Sequence, residues 1–359
     1  MKRLPAELFR DFVPELFVAA GSEKREAMIV ADHLVEASLV GHDSHGLLRV
    51  PKYLNWVREG HLLPNQHVKP FIDSGALLGL DGGFGFGQVI GLEAMDLAIQ
   101  RVCSHGFVAV GIRNSGHLGR IGAWAEQLAH AGLVSIHFVN TSGFGILVAP
   151  FGGIDRRLSA NPIAAGTPGP NGPIVLDIAT SATAEGKIQV ARNRGERLPP
   201  GLILDPNGQP TDDPVAFYGP PPGSILPFGG HKGSGLSVFC EILAGSLTGG
   251  GSSHPKNPTA GRLVNNMLTL AFDPSAFGQA GGFADDVSQL GDWLRSSRPV
   301  EVGGEILLPG EVERRTMADR QRHGIPMDAA TAQQIIDAST KLGIRPPGEL
   351  TEITTGTPN

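Results

Sequence analysis

Along SEKREAMIVADHLVEASLV the apolar residues Met28, Ile29, Ala31, Leu34, Val35 and Leu39 recur at helical spacing, with Ser22 placed to cap a helix and Gly41 to end it. A second helix is expected from Ser44 to Glu59, bent at Pro51 and closed by Gly60, so the first 65 residues read as mainly helical. The pattern then changes. ALLGLDG is a short apolar strand that runs into GGFGFGQVIG, a helix follows across LEAMDLAIQRVCSHG, and FVAVGI at 107–112 is the next strand. After another helix in GRIGAWAEQLAHAG come LVSIHFVN, ILVAP, PIVLDIA, LILDP and MLTLAF at 267–272, all short and strand-like. Strands alternating with helices predict, from pattern alone, a parallel sheet. Near the end DAATAQQIIDASTKLGI is a capped amphipathic helix suited to the helical N-terminal part, and the last dozen residues resemble a frayed tail.

Composition narrows the class. With 359 residues the chain has enough material for one large or two medium domains, and its 50 glycines, about 14% of the whole and roughly twice the usual share, predict many tight turns. A net charge of −6 without a Lys/Arg block lacks the footprint of a nucleic-acid or anionic-membrane binder, and no apolar run is long enough to span a bilayer. The N-terminal MKRLPAELFRDFVPELF has neither an uninterrupted apolar stretch nor a small-residue cleavage site, so no signal peptide is expected. Cys103 and Cys240 cannot make a disulfide framework; both are expected as buried thiols in a cytoplasmic protein.

Three stretches carry candidate chemistry. Gly85, Gly87 and Gly91 form G-x-G-x-x-x-G between a strand and a helix, an arrangement that in a Rossmann-type reductase brings amides onto a pyrophosphate, with Arg113 placed for a 2′-phosphate; the competing reading is a plain structural turn. GHDSHGLLRV, residues 41–50, crowds two histidines, an aspartate, a serine and an arginine. A metal there needs further ligands and the His spacing is not that of HExxH, so no metal is expected. On a helix starting at Ser44, His45 and Arg49 share a face, giving a titratable imidazole beside a guanidinium that can grip a carboxylate; the alternative is a capped helix with solvated histidines. DPNGQPTDDP at 205–214 needs only turn chemistry, and His130 and His137 are expected to be structural.

Taken together, GHDSHGLLRVPKYL, LDGGFGFGQV, NSGHLGRIGAWAEQ, PFGG followed by ANPIA, LDIATSATAEGK, HKGSGLSVFCEILAG and LLPGE resemble the malate/L-lactate dehydrogenase family of type 2, whose fold is not that of ordinary lactate dehydrogenases. The resemblance spans nearly the whole chain, and RIGAWAEQ, VSIHFV and ILLPGE look most like the bacterial hydroxycarboxylate dehydrogenase B group. It implies an NAD- or NADP-dependent oxidoreductase of small 2-oxo or 2-hydroxy carboxylic acids, with His45 as proton donor, Ser44 completing its relay, His117 as a second active-site histidine and Arg49 on the substrate carboxylate. Arginine at position 49 departs from that group and points toward the malate and lactate branches. His117 otherwise reads as a polar group at a helix start. The cofactor contacts implied are His45, Gly119, Arg120, Ile121, the strand end Val175, Leu176, Asp177, Ile178 and Ala179, then Lys232, Asn265 and the run Gly310, Glu311, Val312, Glu313. A helix start offers amides to phosphate, and Asp177 can accept from ribose hydroxyls or cap the next segment instead. Lys232 precedes a helix expected over 236–247, and the 310–313 run can also be a charged surface turn.

The resemblance further implies an α+β fold. A cofactor domain of predominantly antiparallel sheet over 71–299 is joined to a helical domain built from 1–70 and 300–350, with 351–359 as tail, in a homodimer without nucleic-acid or membrane partners. A metabolite-sensing homologue without chemistry is the non-enzymatic alternative.

Overall fold

The computed structural model describes residues 2–257, 261–278 and 281–355. From the N-terminus, β1 (Lys2–Leu4) leads to α1 (Ala6–Ala19), α2 (Lys24–Leu39) and α3 (Val50–Arg58). Next come β2 (Lys69–Ser74), β3 (Leu77–Asp81), α4 (Gly87–His105), β4 (Phe107–Ser115), α5 (Gly122–His130), β5 (Val134–Gly143), β6 (Ile163–Thr167) and β7 (Ile174–Ile178). A smaller lobe holds α6 (Glu185–Arg194), β8 (Ile203–Leu204), β9 (Pro210–Thr211), α7 (Pro214–Tyr218) and β10 (Ser224–Ile225). The rest is α8 (His231–Cys240), a π-helical stretch Glu241–Ser246, β11 (Leu263–Phe272), α9 (Gly282–Arg295), α10 (Glu311–His323), β12 (Ile325–Met327), α11 (Ala329–Lys341) and α12 (Gly348–Thr355).

The main sheet has the order β2-β3-β4-β11-β5-β6-β7. Only β3 and β4 run parallel, joined by the α4 crossover; every other pair is antiparallel. The parallel sheet expected from alternation is therefore corrected, and the reason is long-range. β11, remote in sequence, inserts between β4 and β5, a pairing that no local pattern announces. Ile90, Met95, Val110, Ile112, Trp124 and Met267 form the core between this sheet and α4 and α5. A second core joins Phe9, Leu16, Leu34, Val50 and Tyr53 from the N-terminal helices to Ile335 and Leu350, while β1 pairs with β12 and ties the two chain ends together.

Local corrections have local causes. Ser22 does not cap α2; its hydroxyl donates to Glu26 at 2.7 Å, and Glu23 takes the cap position without a side-chain bond. ILVAP makes only isolated bridges of Val148 to Leu158 and Ile225. Cys103 is exposed on α4 rather than buried, and helix α8 starts at His231, so Lys232 lies inside its first turn. Residues 351–355 continue α12 instead of fraying, anchored by buried Leu350; 356–359 lie outside the described residues.

Candidate active site

The segment from His42 to Arg49 is not the first turns of an α-helix. It forms two 3₁₀ turns, Asp43–His45 and Leu47–Arg49, separated by Gly46, and α3 begins only at Val50 with Pro51 in its first turn. Close packing on α2 dictates this. The Ser38 hydroxyl accepts from the Leu47 amide at 3.0 Å, and a Cβ on Gly46 would stand 2.1 Å from Ser38 Oγ. Arg320 of α10 closes the other side by donating to Asp43 and to the Ser38 carbonyl. Pinned in this way, His45 and Arg49 meet by a route other than an α-helical face: Arg49 Nε donates to the Ser44 carbonyl at 2.6 Å and Ser44 Oγ lies 2.9 Å from His45 Nδ1.

Both side chains line a cleft of about 810 Å³ that also contains Ser44, Lys52, His117, Gly119, Arg120, Ile121, Asp177, Ala179 and Asn265. The cleft thus unites these residues from four separate stretches. His117 leaves β4 through the NSGHLG loop and stacks on His45, ring centroids 5.4 Å apart and 18° from parallel. Burial first, then the Arg49 guanidinium, hold both imidazoles well below their ordinary pKa, so both rings are neutral. Behind His117 stand two residues that sequence reasoning missed. Tyr53 Oη lies 2.6 Å from His117 Nδ1, and Gln88 Nε2 donates to Tyr53 Oη at 3.0 Å and to the His117 carbonyl at 3.3 Å. Lys52 was missed too; its ammonium is lowered by burial and then by Arg49. Tyr53 sits at an apolar-face position of α3, and Gln88 lies in the glycine-rich stretch, so neither carried a signal of its own.

At the other end of the cleft, a register shift in β11 between Asn265 and Met267 turns Asn265 toward the loop, where its Oδ1 accepts from the Leu118 amide at 2.9 Å. The amides before α5 are less available than a bare helix start suggests. Arg120 N–H donates to His33 Nε2 at 3.1 Å and Gly122 N–H to Asp177 Oδ2 at 2.8 Å, which leaves Gly119 and Ile121, among the described residues, with free amides. His33, missed in the sequence, is buried, stacks on Trp124 and is lowered by burial to about 3, so it accepts as a neutral ring. Asp177 caps α5 from β7 with one carboxylate oxygen and turns toward the cleft; burial raises its pKa, with His42 the first opposing influence.

The remaining candidates stand apart from the cleft wall. On β7, Val175 is buried on the sheet's inner side and Leu176 and Ile178 point away from Asp177 and Ala179. Lys232 is exposed on α8 and does not reach the lining. Gly310 precedes α10 against the Val175 amide, Glu311 pairs with Arg295 at 2.6 Å and accepts from the Leu308 N–H ahead of the helix at 2.8 Å, Val312 is exposed, and Glu313 Oε1 lies 3.4 Å from His42 Nε2. The run is a structured helix start rather than a loose surface turn.

Of the two readings of the glycine-rich loop, the packing favours the plain structural turn. A Cβ on Gly87 would fall 2.3 Å from the His117 carbonyl, one on Gly91 2.5 Å from Trp124, and one on Gly85 2.6 Å from Gln66. These glycines let α4 pack against protein, not against pyrophosphate. Arg113, the suggested phosphate partner, donates to Asp81 at 2.8 Å and lies over the Phe71 ring.

Residues 4–336 match the profile of the malate/L-lactate dehydrogenase family. The chain is 44% identical to hydroxycarboxylate dehydrogenase B of Escherichia coli over 347 residues, 95% of each chain, and 41% identical to an L-lactate dehydrogenase of Cupriavidus necator over 79% of this chain and 82% of that one. The structure of malate dehydrogenase from Pyrococcus horikoshii superposes with a TM-score of 0.86 at 31% identity, covering 96% of this chain and 97% of the other. Neither the interrupted 3₁₀ segment around His45 nor the antiparallel sheet is a Rossmann feature, and with these likenesses the chain belongs to the malate/L-lactate dehydrogenase family.

Proposed function

We propose that this oxidoreductase of hydroxy acids reversibly reduces a small 2-oxo carboxylate, with His45 giving the proton to the forming alkoxide and NAD or NADP as its partner. The carrying observation is the pairing of a neutral, buried imidazole with an unspent cation. His45 has Ser44 against Nδ1, and Arg49 uses only Nε within the protein, so its two terminal nitrogens face the cleft without a carboxylate among the described residues. A bidentate grip on the substrate carboxylate by those nitrogens orients the adjacent carbonyl.

The residues present suit a dinucleotide. The cleft volume falls within the roughly 300–1,000 Å³ range of small-molecule and cofactor sites. Free amides at Gly119 and Ile121 suit phosphate oxygens, while Asp177, Ala179 and Asn265 line the neighbouring wall. Bound there, reduced nicotinamide supplies the hydride. The protein excludes water from His45, holds the carboxylate and restores the proton through Ser44 at Nδ1.

Replacing His45 with Ala is expected to preserve the fluorescence change on NADH or NADPH binding while turnover falls by about 10²–10⁴-fold on a panel of 2-oxo acids. Wild-type-like turnover in His45→Ala removes the role. Nucleotide binding with no turnover of any 2-oxo acid by the unmutated protein favours instead a catalytically silent metabolite-binding homologue.

A further inference from the structure

We propose that His117 does not exchange protons in turnover but serves as a fixed hydrogen-bond donor, holding the substrate's reacting oxygen through Nε2–H, and that Tyr53 and Gln88 are positioning residues that set its tautomer. The inference rests on the assignment of proton transfer to His45 and divides the labour between two stacked rings.

Counting hydrogens along one buried chain carries the assignment. The His117 carbonyl can only accept, so the Gln88 atom 3.3 Å from it is the amide nitrogen, and the same NH₂ group donates to Tyr53 Oη at 3.0 Å. The Tyr53 hydroxyl therefore accepts from Gln88 and has one hydrogen left to give. His117 Nδ1, 2.6 Å away, is its only available acceptor among the described residues. Nδ1 must then be the bare nitrogen, and the single proton of the neutral ring sits on Nε2, which has no partner among the described residues and belongs to a ring that lines the cleft.

A second proton on Nδ1 would force two hydrogens together across that 2.6 Å contact, and the displaced tyrosine hydrogen would find no acceptor. Arg49 and Lys52, which line the same cleft, oppose a third positive charge. Tyr53 is itself fully buried, and burial raises its phenol to about 12, so it stays a donor. Gln88 gives further support. Its Oε1 is buried with no partner among the described residues, a cost that an apolar residue of similar size would avoid, so this amide is placed for its NH₂ group.

The Ser44–His45 pair lacks this constraint. Among the described residues Ser44 Oγ has no other partner to orient its hydrogen, so the serine can donate to Nδ1 or accept from it as His45 changes state. One ring is free to shuttle a proton and the other is held as a donor.

The test compares His117→Gln with His117→Ala in the full-length protein. A glutamine amide can donate a hydrogen bond but cannot act as an acid at neutral pH. His117→Ala is expected to lose about 10²–10³-fold in kcat, the usual effect of removing one donor to a developing oxyanion, and His117→Gln to recover to within about tenfold of the unmutated enzyme. NADH fluorescence titration of both variants checks that the fold and cofactor site survive. Glutamine as inactive as alanine, with nucleotide binding intact, would overturn the proposal.

A second readout needs no change at His117. ¹⁵N NMR of histidine-labelled protein is expected to show His117 with an unprotonated Nδ1 and a protonated Nε2, and Tyr53→Phe is expected to release it into a mixture of tautomers. A protonated Nδ1 in the unmutated protein sinks the idea, as does an unchanged signature in Tyr53→Phe. His45→Gln separates the two readings, since its turnover is expected to collapse whatever His117 does; full turnover in that variant rejects the acid role of His45 instead.

Discussion

His45 is held neutral by burial and by the positive Arg49 beside it, and a substrate carboxylate on Arg49 cancels the second of these causes. On the proposed assignment, substrate binding would therefore make the ring more basic and draw in the proton that the reduction consumes. The sign follows from linkage. The free enzyme's His45 titrates below an imidazole's usual ~6.5, so the protonated fraction, and with it kcat/KM for 2-oxo acid reduction, falls about tenfold per pH unit across the neutral range, while oxidation of the hydroxy acid, which needs the neutral ring, is flat there. Rates measured in both directions from pH 6 to 8 check this, and a flat reduction profile would exclude His45 as the acid. Gly46 makes a second residue-scale prediction. Any Cβ there meets Ser38, so Gly46→Ala is expected to cost about 1–3 kcal/mol in urea unfolding and to move His45 out of line with the cleft. His45, Ser44 and Arg49 were legible in the sequence because they lie within six residues. Tyr53, Gln88 and His33 were not, because each acts on a partner distant along the chain: Tyr53 and Gln88 on His117, His33 on the Arg120 amide.

Elements were read best where a single face decides them. α2, α5 and α11 carry periodic apolar stripes, and α11 has its Asp328 cap accepting from Thr331 N–H at 2.9 Å. The 44–59 helix was read too long because Leu47 and Leu48 fit the rhythm, whereas packing on Ser38 breaks it at Gly46. The cap of α5 was equally hidden, since Asp177 comes from β7, fifty-five residues away. That cap is separable from any role toward a ligand. Asp177→Ala is expected to cost about 1 kcal/mol in urea unfolding, typical of a lost N-terminal cap, whereas Asp177→Asn, whose side-chain oxygen can still accept from Gly122, keeps most of that stability. Equal stability of the Ala variant and the unmutated protein would show that the bond holds nothing.

At the scale of the molecule, the alternation of strands and helices pointed to a parallel sheet; it described the β3–α4–β4 unit and missed β11, the strand that makes the sheet antiparallel. Two buried clusters support the proposal of a helical domain from 1–70 with 300–350 beside a sheet domain over 71–299, although Phe86, just ahead of α4, and Val89 within it join the helical cluster. No helix among the described residues is long and apolar enough to cross a membrane. The outer surface carries the last prediction. Along α8 and the π-helical stretch that continues it, Val238, Phe239 and Ile242 are exposed, Phe239 by 59%, and Leu247 beyond them by 66%. With Leu236, this segment leaves five large apolar side chains exposed, which is costly for a monomer and suits a subunit interface. The homodimer implied by the family resemblance would cover it. Light scattering of the purified protein is accordingly expected to give the mass of two 37.6 kDa chains, and the double substitution Phe239→Asp, Ile242→Asp, which replaces apolar contacts by facing charges, to give the mass of one. A dimer that survives the double substitution would place its interface elsewhere, and an unmutated protein that runs as a monomer at micromolar concentration would leave this face for another partner.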